Sequence, residues 1–533
     1  MGVVPSLRRM SVLQPRDAAI ERIEDGDTVG VGGFVAVGIP EYVLEGLGER
    51  YAETGSPGDL TLYHPAAEGD RQGRGISHLV QDGMIERTIA SHWGFTPDLM
   101  ERIVANDVEA YNFPFGAMDH LLRDTAAGKP GTLTHVGLGT FVDPRQDGGK
   151  ANDVTDEDLV NLVMIDGEEY LFYESVPIDV AILRGTTADE NGNVTMEREA
   201  LESNVLAMAQ AAHNSGGTVI VQVERVTETG TLDPADVAIP GVLVDAVVEA
   251  PASHHPQTYA ESYNPAYSGE IRPPTGDAAD GGDASVDDLD ERTIIARRAA
   301  MELAADSVIN LGVGVPERIP EVAAAGGIAD EITQTVESGP IGGSASGGIS
   351  FGTASGHEAL VSSTQQFDFY DGGGLDYGFL GMAQVDAEGN INVSRFGSQL
   401  PGCGGFINIT QNADQVVFCG TLTAGGLEID AGDGELSIER EGDQPKFLDA
   451  VEQVTFSGEY AREIDQSVVY VTERAVFELR EEGLTLVEVA PGVDREADVL
   501  DRLECDPIVA EDVAEMDPRL FRAEPMDLTD AID

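Results

Sequence analysis

The sequence predicts an α/β protein built from two related halves, each with a mostly parallel β-sheet. Three observations support this fold class. Runs rich in β-branched residues alternate with amphipathic stretches along the chain, as in folds that pack helices on parallel strands. One acidic segment rich in proline and glycine divides the chain near its middle. The same pair of glycine-containing landmarks recurs, in the same order, on both sides of that segment.

The strand predictions rest on short β-branched runs next to turn residues, and the helix predictions on apolar residues at helical spacing. In the second predicted helix Leu201, Val205, Met208 and Ala212 share one face, and Gly216 ends the helix. The predicted strands are residues 28–32, 218–226, 307–311, 415–418 and 467–471, and the predicted helices are residues 16–24 and 200–213.

The acidic segment spans residues 272–290 and has almost no apolar side chains, so we predict a solvated linker. It separates an N-terminal α/β domain, residues 1–271, from a C-terminal α/β domain, residues 291–533. In each half a strand, a glycine-rich turn and a proline come first, and a turn of the form D-x-x-G-N-[VI] follows, at Asp189 and at Asp386. The spacing is longer in the first half, so the halves are predicted to be duplicates with an insertion in the first.

The charge of the chain limits its partners. The 533 residues include 31 Lys+Arg and 96 Asp+Glu, for a net charge of −65, and the only lysines are Lys129, Lys150 and Lys446. Such a chain is repelled by nucleic acid and by anionic membranes, so neither is expected as a partner. A lysine-poor acidic surface suits a cytoplasm at high salt, where screening reduces the repulsion among carboxylates. Because 41% of its residues are hydrophobic, the chain can form a core and is not an intrinsically disordered acidic protein.

The remaining global features also indicate a cytoplasmic protein. The three cysteines form no C-x-x-C pair, which fits a reducing compartment. No apolar run approaches the roughly 20 residues needed to span a bilayer. Residues 1–13 lack the apolar core of a signal peptide. The periodic pattern begins near Val12, so the true start is either Met1 or Met10.

The most informative segment is residues 331–350, EITQTVESGPIGGSASGGIS. A strand-like run ends at Glu337 and a dense glycine cluster follows. A carboxylate at the C-terminal end of a strand lies where α/β sheets bind ligands, and glycines let a ligand approach the main chain. A carboxylate can also act as a covalent nucleophile. The same residues fit a capping or solvated glutamate in a loop, and the residues alone leave both interpretations open.

Two other glycine turns are candidate binding elements. Gly312, Val313, Gly314, Val315 and Pro316 precede a predicted helix, whose free N–H groups can hold a phosphate or another anion, although such turns are common. The turn around Cys403 can present the N–H groups of Gly404 and Gly405 to a developing oxyanion. Cys403 itself is expected to be a packing residue.

Three other site types are disfavoured. A dinucleotide fingerprint would need a third glycine where Val35 and Glu317 stand. The G-x-S-x-G match around Ser350 follows a Gly/Ser tract where a nucleophile elbow would need a buried strand. His254 and His255 have no cysteine or carboxylate at ligand spacing, so no metal is expected.

Several stretches together resemble the family I CoA-transferases, specifically the fused-chain branch that includes propionate and acetate CoA-transferases. The resemblance covers most of the chain and is more specific than any single motif. Its residues are 25–34 (DGDTVGVGGF), 310–317 (NLGVGVPE), 335–343 (TVESGPIGG), 367–397, 404–410 (GGFINIT), 416–428, 451–461 and 471–479.

The resemblance implies two tandem CoA-transferase-like α/β domains of the NagB/RpiA-like type. It implies that Glu337 is the nucleophile, that residues 312–316 cradle CoA, and that Gly404 and Gly405 lie beside the thioester. It further implies acyl-CoA and small carboxylic acids as substrates, with CoA passing through a glutamyl-CoA thioester. Such a mechanism needs no metal, ATP or redox cofactor, and a homo-oligomer is the default expectation.

One departure from the family pattern concerns the oxyanion site. Related enzymes have a Pro-Gln-Gly segment whose Gln side chain serves that site, and the matching residues here are Pro114, Phe115 and Gly116. Phe115 has no donor, so a backbone N–H or water replaces it, or the pocket is shaped for a different acyl group. Two other functions stay open: an acyl-CoA hydrolase using Glu337, and a CoA-binding protein with an inactive site. Acetate, propionate, butyrate and 3-oxo acids all remain candidate acyl groups.

Overall fold

The computed structural model describes residues 12–273 and 289–529. Most of the predicted linker, and both Met1 and Met10, lie outside the described residues. The domain boundaries at 271 and 291 and the choice of start therefore stay predictions.

The first half is built on a nine-stranded sheet with a parallel centre. Seven of its strands run parallel in the order β12-β10-β8-β1-β2-β3-β4, and β9 and β11 extend it in antiparallel fashion at the end of β8. A separate sheet has the order β5-β7-β6. The helices are α1 Arg16–Ile20, α2 Glu41–Thr54, α3 Pro97–Val104, α4 Phe115–Ala126 and α5 Val205–Asn214. The strands are β1 Thr28–Val31, β2 Leu60–His64, β3 Ile85–Ala90, β4 Glu109–Asn112, β5 Gly131–Thr134, β6 Val160–Ile165, β7 Glu168–Glu174, β8 Val180–Asp189, β9 Val194–Thr195, β10 Thr218–Thr227, β11 Val237–Ile239 and β12 Ala246–Glu249.

The second half is built on a ten-stranded sheet in the order β18-β15-β14-β13-β19-β22-β27-β28-β29-β30. Its central five strands, from β14 to β27, are parallel. The helices are α6 Glu291–Ala300, α7 Ile319–Ala325, α8 Ser363–Asp371, α9 Phe406–Asn412 and α10 Gly458–Glu463. The strands are β13 Ser307–Leu311, β14 Ile332–Thr335, β15 Pro340–Ile341, β16 Ser344–Ala345, β17 Ala354–Ser355, β18 Ala359–Leu360, β19 Tyr377–Gly381, β20 Gln384–Val385, β21 Ile391–Asn392, β22 Gln415–Cys419, β23 Thr423–Ala424, β24 Glu428–Gly432, β25 Glu435–Arg440, β26 Gln444–Pro445, β27 Ser467–Val471, β28 Ala475–Arg480, β29 Gly483–Val489 and β30 Ile508–Glu515.

The two sheets repeat one strand order, which confirms the predicted duplication. The order β12-β10-β8-β1-β2 of the first half matches β27-β22-β19-β13-β14 of the second. The two D-x-x-G-N turns also make the same bonds. Asp189 accepts a hydrogen bond from the Asn193 side chain at 2.9 Å, and Asp386 accepts one from the Asn390 side chain at 3.0 Å. In both turns the same aspartate also accepts two backbone N–H groups, which satisfies the buried carboxylate.

The halves pack against each other through apolar side chains. The parallel strands are largely buried on both faces, as expected for a sheet covered by helices, and every residue of β8 is buried. One hydrophobic cluster includes Phe34 and Phe115 of the first half with Phe367 and Phe406 of the second. The surface between the halves is therefore part of the core.

Two helix predictions are too long. Helix α1 ends at Ile20, and α5 begins at Val205, five residues after its predicted start. The residues before α5 are held by distant partners: the Ser203 hydroxyl donates to the Gly33 carbonyl, and the Asn204 side chain donates to Asp119. These tertiary bonds replace the first helical turn that the apolar spacing favoured. Within the described ranges, no helix is both long enough and apolar enough to cross a membrane.

Candidate active site

Glu337 lies in a tight turn at the C-terminal edge of the second sheet. Strand β14 ends at Thr335, two residues before the predicted end, and the antiparallel strand β15 begins at Pro340. The Gly339 N–H donates to the Val336 carbonyl at 2.9 Å and closes the turn. Gly339 has φ +129°, and a β-carbon there would collide with the Val361 carbonyl, so only glycine fits. The turn thus presents Glu337 beside the ends of parallel strands, where open α/β sheets bind ligands.

The Glu337 side chain is enclosed by protein on most sides, although it keeps some exposure to solvent. Burial raises the pKa of the Glu337 carboxyl, while its own backbone N–H and the Asn310 side chain act in the opposite direction by stabilising the carboxylate. A poorly solvated carboxylate with few hydrogen bonds is a better nucleophile than one in water. A solvated loop glutamate fits this environment less well than an enclosed one, and the role of Glu337 as the nucleophile stays a prediction.

Asn310 connects Glu337 to a buried polar group that the sequence reasoning missed. Asn310 is in β13, next to β14, and its amide donates to the Tyr370 hydroxyl at 3.2 Å. The Tyr370 hydroxyl in turn donates to Thr335 Oγ1 at 2.8 Å. All three residues are buried. One sequence signal was available: Asn310 is a polar residue within the apolar run of a central parallel strand, where a side-chain amide needs a specific partner.

The glycine turn at residues 401–405 is held by the first half of the chain. The Gly404 N–H donates to the Ser91 carbonyl at 2.8 Å, and the Phe115 N–H donates to the Gly404 carbonyl at 2.9 Å. The Cys403 N–H donates to Asn112 Oδ1 at 3.0 Å. The candidate site is therefore assembled from both halves.

Of the two predicted oxyanion donors, only one is available. The prediction is wrong for Gly404, because the Ser91 carbonyl already accepts its N–H. The Gly405 N–H has no hydrogen-bond partner among the residues that the structure describes. A β-carbon placed on Gly405 would lie 3.5 Å from Glu337 Cγ, so this glycine is next to the carboxylate.

The predicted CoA segment, residues 312–316, lies at the same sheet edge, directly after β13. Its N–H groups are less open than predicted. The Gly312 N–H donates to the Phe379 carbonyl at 2.8 Å, and the Gly314 N–H donates to the Glu317 carboxylate at 2.9 Å. Both groups are thus occupied by the protein itself. Pro316 is in the first turn of the helical segment, as predicted, and Val313 is 61% exposed.

Phe115 is the first residue of α4 and packs among aromatic rings. Its ring centroid is 5.0 Å from that of Phe367 in an edge-on arrangement and 5.6 Å from that of Phe34. Only 1% of Phe115 is exposed. Neither its side chain nor its N–H, which donates to Gly404, is a donor for an oxyanion.

Two other residues from the sequence analysis are structural. Cys403 is buried, and burial raises the pKa of its thiol far above the usual range, so it is a packing residue as predicted. Ser350 is in a short helical turn that no helix follows directly, and its hydroxyl contacts the Thr258 hydroxyl at 3.2 Å. This is not the strand–turn–helix geometry of a serine nucleophile.

The comparisons with known proteins agree with this geometry. A family profile described as Coenzyme A transferase matches residues 13–250. The chain is 46% identical over 509 residues to a caffeate CoA-transferase from Acetobacterium woodii, covering 94% of this chain and 96% of the relative. It is 42% identical over 524 residues to the acetate CoA-transferase YdiF of Escherichia coli K12, covering 96% and 95%.

Crystal structures of the acyl-CoA transferase YdiF from E. coli O157:H7 have the same fold. The apoenzyme matches with a TM-score of 0.91 at 40% identity, covering 98% of both chains. A thioester complex of that enzyme with CoA matches with a TM-score of 0.89 at the same identity and coverage. The likeness extends over both halves and includes the candidate site, so the chain belongs to the CoA-transferase family, in the fused-chain branch in which one polypeptide carries both α/β halves.

Proposed function

We propose that the protein moves CoA from a short-chain acyl-CoA to an acceptor carboxylate through a glutamyl-CoA thioester on Glu337. The observation that carries this proposal is the enclosed Glu337 carboxylate next to Gly405, whose N–H has no partner in the described part of the chain. A similar enzyme, YdiF, forms a thioester complex with CoA. Two CoA-transferases that are similar to this chain are named for caffeate and for acetate.

The reaction begins when the Glu337 carboxylate attacks the acyl-CoA carbonyl. The tetrahedral oxyanion collapses and expels CoA thiolate, which leaves an acyl-glutamyl anhydride. The thiolate then attacks the Glu337 carbonyl, giving glutamyl-CoA and releasing the first carboxylate. A second carboxylate reverses these steps and leaves as its own CoA thioester. The thioester bond is exchanged and not hydrolysed, so the cycle requires no ATP, metal or redox cofactor, and its kinetics are ping-pong.

Gly405 supplies the oxyanion donor in this proposal. Gly405 is beside the reacting carboxylate, and a preorganised donor aimed at developing charge contributes most when water is excluded. The neighbouring aromatic rings limit the access of water, which protects the anhydride and the thioester from hydrolysis. One backbone donor thus takes the place of the amide that position 115 lacks.

Arg292 is a candidate contact for the CoA phosphates, because a chain at −65 repels the polyanionic CoA and needs a local positive charge. The exposed Arg292 guanidinium is 4.0 Å from a β-carbon position on Gly314, at the CoA segment. We expect Arg292→Gln to raise KM for acyl-CoA about 10-fold with little change in kcat, since phosphate contacts bind ground and transition states alike. Steady-state kinetics at fixed salt measure this. Arg292→Lys, which keeps the charge, should stay near wild type, and an unchanged KM in Arg292→Gln would contradict the assignment.

The contact between Asn310 and Glu337 predicts how the activity depends on pH. Protonated Glu337 cannot attack, so kcat/KM falls at low pH, and its acid limb reports the raised pKa of Glu337. Asn310→Ala removes a group that stabilises the carboxylate, so we expect the acid limb to move to higher pH. A hydrogen bond to a charged group contributes about 1.5–3 kcal/mol, which corresponds to a displacement of the acid limb by about one to two pH units. Tyr370→Phe is the control: it removes a hydroxyl bonded to Asn310 but leaves the Asn310–Glu337 contact. Equal pH profiles for Asn310→Ala and wild type would exclude this role.

The deciding experiment is incubation of the protein with acyl-CoA in the absence of an acceptor acid, followed by mass spectrometry of the peptide that contains Glu337. The proposal predicts a CoA adduct on that residue, which an added carboxylate discharges to a new acyl-CoA. CoA release that is equally fast with and without an acceptor would favour the hydrolase. No adduct and no CoA release would favour a CoA-binding protein with an inactive site.

We further propose a cytoplasmic, homo-oligomeric enzyme adapted to high salt. The net charge of −65 supports the salt adaptation, the three free and buried cysteines support the compartment, and a homo-oligomer is the general default. Free thiols fit a reducing compartment.

A further inference from the structure

We propose that Gln366 is a positioning residue that directs the Asn310 amide toward Glu337. This inference rests on the proposed function and deepens it by naming a residue that acts on the nucleophile through others. It starts from a buried amide. Gln366 is 0% exposed, and neither its amide nitrogen nor its amide oxygen completes a hydrogen bond with the residues that the structure describes. Burying an amide in this way is unfavourable, which indicates a role other than stability.

Gln366 and Tyr370 share the face of α8 that packs behind Glu337. Residues four apart on a helix are neighbours, and the Gln366 amide is close enough to the Tyr370 hydroxyl to act on it as a donor. The contact is looser than a well-aligned hydrogen bond. The Phe367 ring meets the Tyr370 ring edge-on at 5.8 Å. A β-carbon on Gly405 would lie 3.4 Å from Phe367 Cζ and 3.6 Å from Glu337 Cδ, so this helix face is next to the site.

The Tyr370 oxygen is left as an acceptor only. The Thr335 hydroxyl donates to the Ile309 carbonyl at 2.9 Å, so Thr335 Oγ1 accepts the hydrogen of the Tyr370 hydroxyl, at 2.8 Å. With its own hydrogen used, the Tyr370 oxygen accepts from an amide. Two amides reach it, that of Asn310 at 3.2 Å and that of Gln366. They are therefore alternative donors to one oxygen.

The Asn310 amide has fewer hydrogens than acceptors. Its nitrogen carries two hydrogens. Three acceptors are in reach: the Thr335 carbonyl at 3.3 Å, the Tyr370 hydroxyl at 3.2 Å and the Glu337 carboxylate. A hydrogen from Gln366 satisfies Tyr370 and leaves one Asn310 hydrogen for Glu337. Without Gln366 the Tyr370 oxygen takes that hydrogen, and the pKa of Glu337 rises because its carboxylate has lost a donor.

The charges around Glu337 do not obscure this effect. No charged side chain in the described part of the chain acts on its carboxyl. The titratable group that faces it is Tyr370, and burial raises the pKa of that hydroxyl far above the usual range, so it stays protonated. The acidic residues of α8, Asp368 and Asp371, instead face His120 of α4 at 3.2 Å and 3.6 Å. A moved acid limb therefore reports a change in hydrogen bonding.

The test compares the pH profile of kcat/KM and the melting temperature in wild type and in Gln366→Met, which keeps the shape of glutamine without its polar atoms. We expect the acid limb to move to higher pH by about one unit, while the plateau at high pH stays within about threefold of wild type. The melting temperature should stay equal or rise, because an apolar side chain replaces an unsatisfied buried amide. A merely structural residue would lower both activity and stability at every pH.

Two further variants make the test specific. Thr364→Val is the matched control: its buried hydroxyl also completes no hydrogen bond among the described residues, and it lies on α8 two positions from Gln366, on another face. Its pH profile should equal that of wild type. Tyr370→Phe removes the competing acceptor, so adding Gln366→Met in that background should not move the acid limb further.

Each outcome decides one claim. A Gln366→Met profile that coincides with wild type overturns the proposal, and so does an equal shift in Thr364→Val or in the Tyr370→Phe background. Gln366→Leu, a second apolar variant, is measured in parallel and decides the same question if Gln366→Met does not fold. If wild type forms no CoA adduct on Glu337, the proposed function fails. If the adduct forms with the same pH dependence in wild type and Gln366→Met, only the role of Gln366 fails.

Discussion

Replacement of Glu337 by glutamine is expected to abolish CoA transfer, with a loss of about 10⁴-fold or more in kcat, because the step that forms the anhydride has no other nucleophile. Glutamine has nearly the same shape as glutamate and fits the same space beside Asn310 and Gly405, so the fold should be kept. Exchange of CoA between acyl-CoA and labelled acid measures the transfer, and thermal unfolding checks the fold.

Glu337→Asp is the matched variant for this prediction. It keeps a carboxylate but shortens its reach by one methylene, and positioning errors of about 1 Å cost about 10²-fold. We therefore expect weak transfer and a detectable CoA adduct in Glu337→Asp, and neither in Glu337→Gln. Near-native exchange by a folded Glu337→Gln protein would remove Glu337 from the mechanism.

The second large effect concerns salt. With 96 acidic and 31 basic residues, repulsion between carboxylates exceeds the attraction of the ion pairs, and both are screened as salt rises. The screening length falls from about 10 Å at 0.1 M to about 3 Å at 1 M, so we expect the melting temperature to rise by about 10 °C or more between 0.1 M and 2 M KCl. Differential scanning calorimetry measures it.

The control for the salt prediction is sucrose at matched osmolality, which favours compact states by exclusion from the surface but does not screen charge. A large rise with KCl and a small rise with sucrose would identify screening as the cause. A melting temperature that is unchanged or lower in 2 M KCl would contradict adaptation to high salt.

Much of the fold could be predicted because its signals are local. The runs at residues 307–311 and 467–471 became strands β13 and β27 with the same bounds, since β-branched residues next to turns need no distant information. The D-x-x-G-N turns marked the duplication because each aspartate bonds to backbone within a few residues of itself. The start of α5 was predicted wrongly because the hydrogen bond from the Asn204 side chain to Asp119 competes with the first helical turn. This bond joins residues far apart in the chain, so the local sequence pattern gives no sign of it.

The sequence by itself determined the α/β class, the two related halves and the acidic character, because each depends on composition or on a short motif, while the family resemblance singled out Glu337 as the candidate nucleophile. Only the tertiary structure decided which N–H groups stay free. The Gly404 N–H donates to the Ser91 carbonyl and the Gly314 N–H donates to the Glu317 carboxylate, so neither can bind a ligand. The Gly405 N–H has no partner among the described residues. It also decided that Asn310 supports Glu337. A hydrogen bond needs both partners at contact distance, and here the packing of one half against the other, or of one strand against the next, brings them together.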